Sequence, residues 1–177
     1  MNGRYLFLDI DGVLNSDSWW ASQAQRAARW RYPHTAFDPA AVRRLNALVR
    51  GAGASVVLSS SWRRGLDSNA VRTLLRSVGI RCHLAGLTPV LTPDWHHPRP
   101  HDQGLVRGDE VAAWLLGSGH TVTSYAILDD DDDFFDPLRQ RLVHTSDAVG
   151  LTEADMCKAI EYLWLPAPRL QPASLAA

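Results

Sequence analysis

The sequence is poor in cysteine and has no long apolar run. Cys82 and Cys157 are the only cysteines among 177 residues, which excludes a disulfide-stapled extracellular scaffold and a cysteine-rich zinc domain. We expect both to be small core residues. No apolar stretch approaches the ~18 residues of a membrane-spanning helix, and the first residues lack the layout of a secretory signal. The sequence therefore predicts a soluble, cytoplasmic protein with no membrane partner and no obligate protein partner.

Lysine is almost absent, and the charges are unevenly distributed although the net charge is only -1. All cations except Lys158 are arginines. Residues 1–107 contain 14 Arg or Lys and 7 Asp or Glu, whereas residues 108–177 contain 4 and 12. This asymmetry lets basic side chains of one half meet an anionic substrate near the acids of the other. Ordinary variation of surface charge explains it equally well.

Short β-branched or aromatic runs alternate with amphipathic helical patterns along the chain. The predicted helices begin at the capping residues Asp38, Asp67 and Thr152 or span residues 107–116. The alternation predicts an α/β fold, a three-layer Rossmann-like parallel sheet with helices on both faces. The predicted strands are residues 5–8, 55–58, 81–85, 124–128 and 142–144.

We expect one domain over residues 1–165. Residues 16–34 leave room for a small helical flap but for no large cap domain, and the Pro- and Ala-rich residues 166–177 are expected to be disordered. Residues 86–103 contain four prolines and predict a long loop. The loop contains three histidines, His96, His97 and His101. We expect them to be solvated side chains and not metal ligands.

Three predicted strands end on polar residues, namely Asp9, Ser59 and Asp129. Ligands of open parallel sheets bind beyond the carboxyl ends of the strands, so these side chains are expected to converge on one crevice. Asp11 follows Asp9 by two residues and is followed by Gly12. One carboxylate can attack phosphorus while the second protonates the leaving oxygen and later deprotonates water. We expect the Ile10 carbonyl to face a metal ion.

The second acidic feature is the run from Asp129 to Asp133. Adjacent carboxylates repel one another, so a run that abuts a buried strand favours a bound cation over an acidic surface turn. Asp129 and Asp130 are the predicted ligands, Asp133 is a further candidate, and Asp131 and Asp132 are expected to be solvated. A hard, oxygen-ligated cation such as Mg²⁺ suits this set.

These residues resemble the haloacid-dehalogenase-like (HAD) phosphatase superfamily. LFLDIDGVLN is similar to its first motif, VVLS to its second and AILDD to its fourth. The resemblance implies Asp9 as nucleophile, Asp11 as acid/base and Ser59 as phosphate ligand, with Ser60 as the alternative. It also implies a basic third-motif residue, for which Arg107 is the best candidate. Magnesium would be held by Asp9, Asp11, Asp129 and Asp130, and the residues expected to contact substrate are Ser60, Gly12, Trp62 and Arg63.

A narrower resemblance concerns the segments DIDGVLN, SSSWR, RGDEVAAWL, LDDD and GLT. Together they are similar to HAD domains of bacterial RNA-repair proteins and their stand-alone relatives. This implies a phosphatase acting on nucleic-acid ends, for instance on a 3′-phosphate. The predicted flap mixes aromatic and basic side chains, as a nucleic-acid groove does, although an amphipathic helix covering the sheet explains it as well. Its members are Trp19, Trp20, Trp30, Tyr32, Arg26, Arg29 and Arg31.

Three functions remain open from the sequence. The first is a magnesium-dependent phosphohydrolase acting on RNA ends, DNA ends or nucleotides through an aspartyl-phosphate. The second is a small-metabolite phosphatase with the same catalytic residues. The third is a HAD-like binding or regulatory module without turnover, which the intact Asp9–Asp11 pair and the acidic run disfavour.

Overall fold

The sheet consists of five parallel strands in the order β3-β2-β1-β4-β5. They are β1 (Arg4–Leu8), β2 (Ser55–Leu58), β3 (Leu84–Leu87), β4 (Ser124–Asp129) and β5 (Leu142–His144). In the computed structural model, which describes residues 3–25, 36–91 and 106–170, Leu8 lies opposite both Leu58 and Leu128. This register places the carboxyl ends of the three central strands side by side.

Helices cover both faces of the sheet, as the alternation of patterns predicts. They are α1 (Asp17–Gln25), α2 (Pro39–Ala52), α3 (Ser68–Ser77), α4 (Val106–Gly117) and α5 (Glu153–Trp164). Leu6 and Leu8 of β1 pack in one apolar cluster with side chains of α2, α3 and α5. Tyr5 and Phe7, on the opposite face, pack in a second cluster with side chains of α4. The three-layer Rossmann-like prediction is therefore confirmed.

The predicted caps set where the helices begin. The Asp38 carboxylate accepts a hydrogen bond from the backbone N–H of Ala40 (2.7 Å), with Pro39 in the first turn of α2. Thr152 and Asp155 form a reciprocal capping box at α5. The backbone N–H of Asp38 also donates to the Leu14 carbonyl (2.7 Å), which ties the start of α2 to the loop after β1.

Strand β3 begins later than predicted, at Leu84 instead of Arg81. The reason is a tie to α2, because the Asn46 amide donates to the Gly79 carbonyl (2.9 Å) and its oxygen accepts from the Arg81 N–H (2.7 Å). The chain is therefore held beside α2 before it reaches the sheet.

The prediction that both cysteines are core residues is wrong for Cys157, which is exposed. Cys82 is partly buried.

The first residues of the predicted tail are packed against the sheet, contrary to the expected disorder. The Ala167 N–H donates to the Thr123 carbonyl (2.8 Å), and Ala167 and Leu170 contact the α4-side apolar cluster. Residues 26–34 of the predicted flap, residues 92–103 of the predicted long loop with its histidines, and residues 171–177 lie outside the described ranges. Among the described helices, none has the length and apolar character that crossing a bilayer requires.

Candidate active site

Asp9 lies at the centre of the sheet edge, directly after β1, and is only 4% exposed. Its backbone N–H donates to the Leu128 carbonyl (2.9 Å), which fixes the residue between β1 and β4. Its carboxylate accepts hydrogen bonds from Arg107 Nη1 (3.1 Å) and from the hydroxyl of Ser60. Burial raises the pKa of Asp9, and the charge of Arg107 opposes that rise. A cation or an anionic ligand at this point therefore strongly affects its ionisation.

Asp9, Asp129 and Asp130 form a cluster in which each offers a carboxylate oxygen within 4.8 Å of the others. Asp129 is fully buried, and its Oδ2 atom accepts no hydrogen bond. Burial raises the pKa of Asp129 well above its usual value and that of Asp130 to about 6. Buried carboxylates are stabilised in their ionised form by a bound cation. An all-oxygen, carboxylate-rich set with an unsatisfied buried oxygen fits Mg²⁺.

Gly12 makes room for this cluster. Its φ is +65°, and a Cβ built on it would overlap the side chain of Asp130. Its N–H donates to the Asn15 side chain (3.0 Å), and its carbonyl accepts from the Thr145 hydroxyl (3.1 Å). Both polar backbone groups are thus occupied, and the missing side chain gives Gly12 a steric role beside Asp130, while its contact with substrate stays a prediction.

Asp11 lies outside the acidic cluster and is exposed. Its two carboxylate oxygens accept hydrogen bonds from the Asn15 amide and from the Trp62 indole N–H, each at 2.8 Å. The prediction that Asp11 is a side-chain metal ligand is therefore corrected, because both oxygens are held by neutral donors away from the cluster. The Ile10 carbonyl does not face a metal either, since it accepts from the N–H groups of Leu14 (2.8 Å) and Val13 (3.2 Å).

Trp62 forms a hydrogen bond with Asp11 and is anchored by an aromatic neighbour. Its ring packs edge-on against Phe37, with ring centroids 5.3 Å apart, and it is partly buried against the core. The aromatic contact fixes the indole, and the indole N–H in turn fixes the carboxylate of Asp11. Contact between Trp62 and substrate stays a prediction, and the hydrogen bond to Asp11 gives the residue a positioning role besides.

Arg107, in the first turn of α4, reaches back to the strand ends. Nη1 donates to Asp9 and to the Ser59 carbonyl (2.6 Å), and Nε lies 3.7 Å from Asp129 Oδ2. Burial lowers the pKa of Arg107, but attraction to Asp129 and Asp9 more than compensates, so its pKa is raised and it stays cationic. The structure thus brings the candidate third-motif cation to Asp9.

The two serines after β2 differ in their contacts. The Ser60 hydroxyl bonds the Asp9 carboxylate and accepts from the Trp62 backbone N–H (3.4 Å). The Ser59 Oγ atom is buried and has no hydrogen-bond partner in the described structure. The hydroxyl that already contacts the nucleophile candidate is therefore that of Ser60.

Arg63 lies beneath the site, and its predicted contact with substrate is corrected. Its side chain is 2% exposed and pairs with Glu110 of α4 at 2.5 Å. All five guanidinium N–H groups are used. Besides Glu110, they bond the backbone carbonyls of Ser59, Ser60, Thr88 and Pro89. No donor is left for a ligand, so Arg63 holds the serine segment in place.

Asn15 and Glu110 support the site although their sequence pattern predicts no role for them; Asn15 lies in the segment DIDGVLN and Glu110 in RGDEVAAWL. Gly150, in the GLT segment, is a further case. Its φ is +77°, a Cβ there would lie 3.0 Å from the Val13 carbonyl, and the neighbouring Leu151 N–H donates to that same carbonyl (2.8 Å). The segment therefore packs against the loop after β1 and supports the turn that carries Asp11.

A family model matches most of the chain. It is described as "HAD domain in Swiss Army Knife RNA repair proteins" and matches residues 5–156. No curated protein and no solved structure matches the chain. The matched range includes every element from β1 to the first turn of α5 and all of the candidate site residues.

Proposed function

The chain belongs to the family described as the HAD domain in Swiss Army Knife RNA repair proteins, and on that premise we propose a magnesium-dependent phosphohydrolase acting on phosphorylated nucleic-acid ends. The observation that carries the proposal is the contrast between two carboxylates two residues apart. Asp9 is buried among Arg107, Ser60 and two further carboxylates, whereas Asp11 is exposed and held by neutral donors. Different environments suit the different roles of nucleophile and acid/base.

In the first step, a carboxylate oxygen of Asp9 attacks the phosphorus of the ester. The bond from phosphorus to the leaving oxygen breaks, and Asp11 gives its proton to that oxygen. The product alcohol leaves, and the phosphoryl group remains on Asp9 as an acyl-phosphate. Exposure of Asp11 allows it to reach the leaving group, and its bonds to Asn15 and Trp62 fix its orientation.

In the second step, a water molecule attacks the same phosphorus. Asp11, now a carboxylate, takes the proton of that water, and the bond between phosphorus and the Asp9 oxygen breaks. Inorganic phosphate is released, and both carboxyl groups return to their starting state. One residue thus serves as acid and then as base.

Arg107 and Ser60 bind and orient during both steps. Arg107 is anchored on the Ser59 carbonyl and lies on Asp9 and Asp129, so its charge offsets the negative charge that collects on the carboxylates and the phosphoryl oxygens. The Ser60 hydroxyl can turn from the Asp9 carboxylate to a phosphoryl oxygen once the substrate arrives. We propose Ser60 over Ser59 as the phosphate ligand for that reason.

Asp9, Asp129 and Asp130 would hold the magnesium ion. When bound, Mg²⁺ neutralises charge on the phosphoryl oxygens and favours the ionised form of the carboxylates around it. The raised pKa values of Asp129 and Asp130 predict that this ion also stabilises the folded protein.

Phosphate release from a 3′-phosphorylated RNA oligonucleotide tests the substrate class. It is compared with release from a mononucleotide and from an aryl phosphate, with and without EDTA, and Asp9→Asn serves as the blank. The proposal predicts magnesium-dependent release with preference for the oligonucleotide. Activity confined to the small esters would support a metabolite phosphatase, and silence on all three with the fold intact would contradict phosphatase activity on these esters.

A further inference from the structure

A basic groove runs along α2, outside the acidic cluster of the candidate active site. It is open, has a volume of about 580 Å³ and lies between α2 and the segment that leads into β3. Arg43 and Arg50 of α2 and Arg81 of that segment line it, and all three are exposed. We refer to it as the α2 groove.

The segment that forms the groove is rich in arginine and poor in acids. Between residues 39 and 91 the chain has eight arginines and one acid, Asp67, and Asp67 caps α3 through bonds to Asn69 and Ala70. Within the described part of the chain, the guanidinium groups of Arg43, Arg50 and Arg81 form no hydrogen bond or ion pair. Unpaired, solvated arginines along one groove form the electrostatic footprint of a polyanion site.

Two hydrogen bonds hold the walls of the groove together. Asn46 lines it and bonds both the Gly79 carbonyl and the Arg81 N–H to α2, so the two walls cannot separate without breaking both bonds. Arg43 and Arg50 are two helical turns apart, which places them on one side of α2 and roughly 10 Å apart along its axis. A row of cations at this spacing suits a strand that carries several phosphates better than a single phosphate group.

The groove begins beside the catalytic residues. Phe37 lines it and packs against Trp62, whose indole holds Asp11. The start of α2 is tied to the loop after β1, and α2 runs from there toward the opposite edge of the sheet, where β2 begins. The path from Asp11 over Trp62 and Phe37 therefore leads into the α2 groove.

We propose that the α2 groove binds the sugar–phosphate backbone of a nucleic-acid strand whose phosphorylated end occupies the site at Asp9. This inference rests on the proposed function and deepens it. The contacts are to phosphates, because the groove arginines have no partly buried base-reading groups beside them. Such contacts add affinity for the strand without preference for its sequence. Substrates longer than a mononucleotide should then bind more tightly as they fill the groove.

The test compares two matched double variants. Arg43→Gln/Arg50→Gln removes two groove cations, and Arg72→Gln/Arg76→Gln removes two from α3, which do not line the groove. Binding of 3′-phosphorylated oligonucleotides of increasing length is measured with each double variant on an Asp9→Asn background. KM for the oligonucleotide and for the aryl phosphate is measured on the active background. The groove variant should weaken the binding of long oligonucleotides about tenfold at low salt. It should also reduce the slope of log K against log salt concentration by roughly 1.4, or about 0.7 for each lost contact.

The control variant should change oligonucleotide binding less than twofold, and neither variant should alter KM for the aryl phosphate. Equal effects of the two double variants on oligonucleotide binding, or an affinity that does not depend on oligonucleotide length, would overturn the proposal that the α2 groove binds the strand. Because binding is measured without turnover, groove-dependent binding in a protein that hydrolyses no ester would support the groove while refuting the proposed function. Hydrolysis of esters with length-independent binding would do the reverse.

Discussion

Replacement of Arg63 by Met should strongly destabilise the fold, although Arg63 never contacts the substrate. The change leaves the Glu110 carboxylate buried without its partner, which costs about 3–5 kcal/mol. It also removes the side-chain donors to the Thr88 and Pro89 carbonyls, at roughly 1 kcal/mol or more for each that stays buried and unpaired, whereas the Ser59 and Ser60 carbonyls keep Arg107 Nη1 and the backbone N–H of residue 63 as donors. Domains of this kind are stable by only about 5–15 kcal/mol, so the variant should be near its folding limit.

Double substitution separates the two contributions. Arg63→Met/Glu110→Leu removes the unpaired charge but leaves the Thr88 and Pro89 carbonyls without donors, so it should recover more than half of the lost free energy of unfolding. Arg76→Met on the surface of α3 is the control and should stay within about 0.5 kcal/mol of the parent. Urea unfolding at neutral pH, followed by circular dichroism, measures all of them. A loss below about 1 kcal/mol for Arg63→Met, or no recovery in the double variant, would refute the reasoning.

Three further predictions concern the site. Ser60→Ala should lower kcat/KM by about 10- to 100-fold, the value of one hydrogen bond to a charged group, and more than Ser59→Ala does; the reverse order in steady-state kinetics would assign the phosphate to Ser59. Gly12→Ala should displace Asp130 and raise the magnesium concentration for half-maximal activity, so an unchanged magnesium titration would contradict the steric role. Because burial raises the pKa of Asp130 from 3.8 to about 6, the folded protein without metal holds that proton more tightly than the unfolded chain, and its thermal stability should fall as pH rises through this window. Magnesium should remove that fall, and melting curves with a metal-free stability that rises over the same window would disprove it.

The position of the site followed from short-range patterns. Asp9, Ser59 and Asp129 come directly after apolar runs, and parallel pairing in register necessarily aligns the ends of such strands. The start of α4 was also predictable from its pattern, which placed Arg107 at a helix N-terminus. Its contact with Asp9, 98 residues away in sequence, was expected from the family resemblance alone.

The supports of the site were not predictable in the same way. The sequence around Arg63 suggests a substrate contact, and only the packing of α4 shows that Glu110 lies 2.5 Å away and that every donor is used. Likewise, Trp62 and Asp11 are 51 residues apart, and nothing local indicates that the indole N–H meets the carboxylate. Such pairs depend on how the elements pack, which local periodicity does not determine. The delayed start of β3 has the same origin in the long-range clamp by Asn46.

Direct detection of a phosphoryl group on Asp9 tests the central claim. The active protein is mixed with magnesium and its best phosphate ester, quenched rapidly in acid and digested, and the peptide that contains Asp9 is analysed by mass spectrometry. Asp9→Asn is the matched control. We predict the added mass of one phosphoryl group on Asp9 in the parent and neither label nor turnover in the variant. A label on another residue, or turnover that persists in Asp9→Asn, would contradict the account.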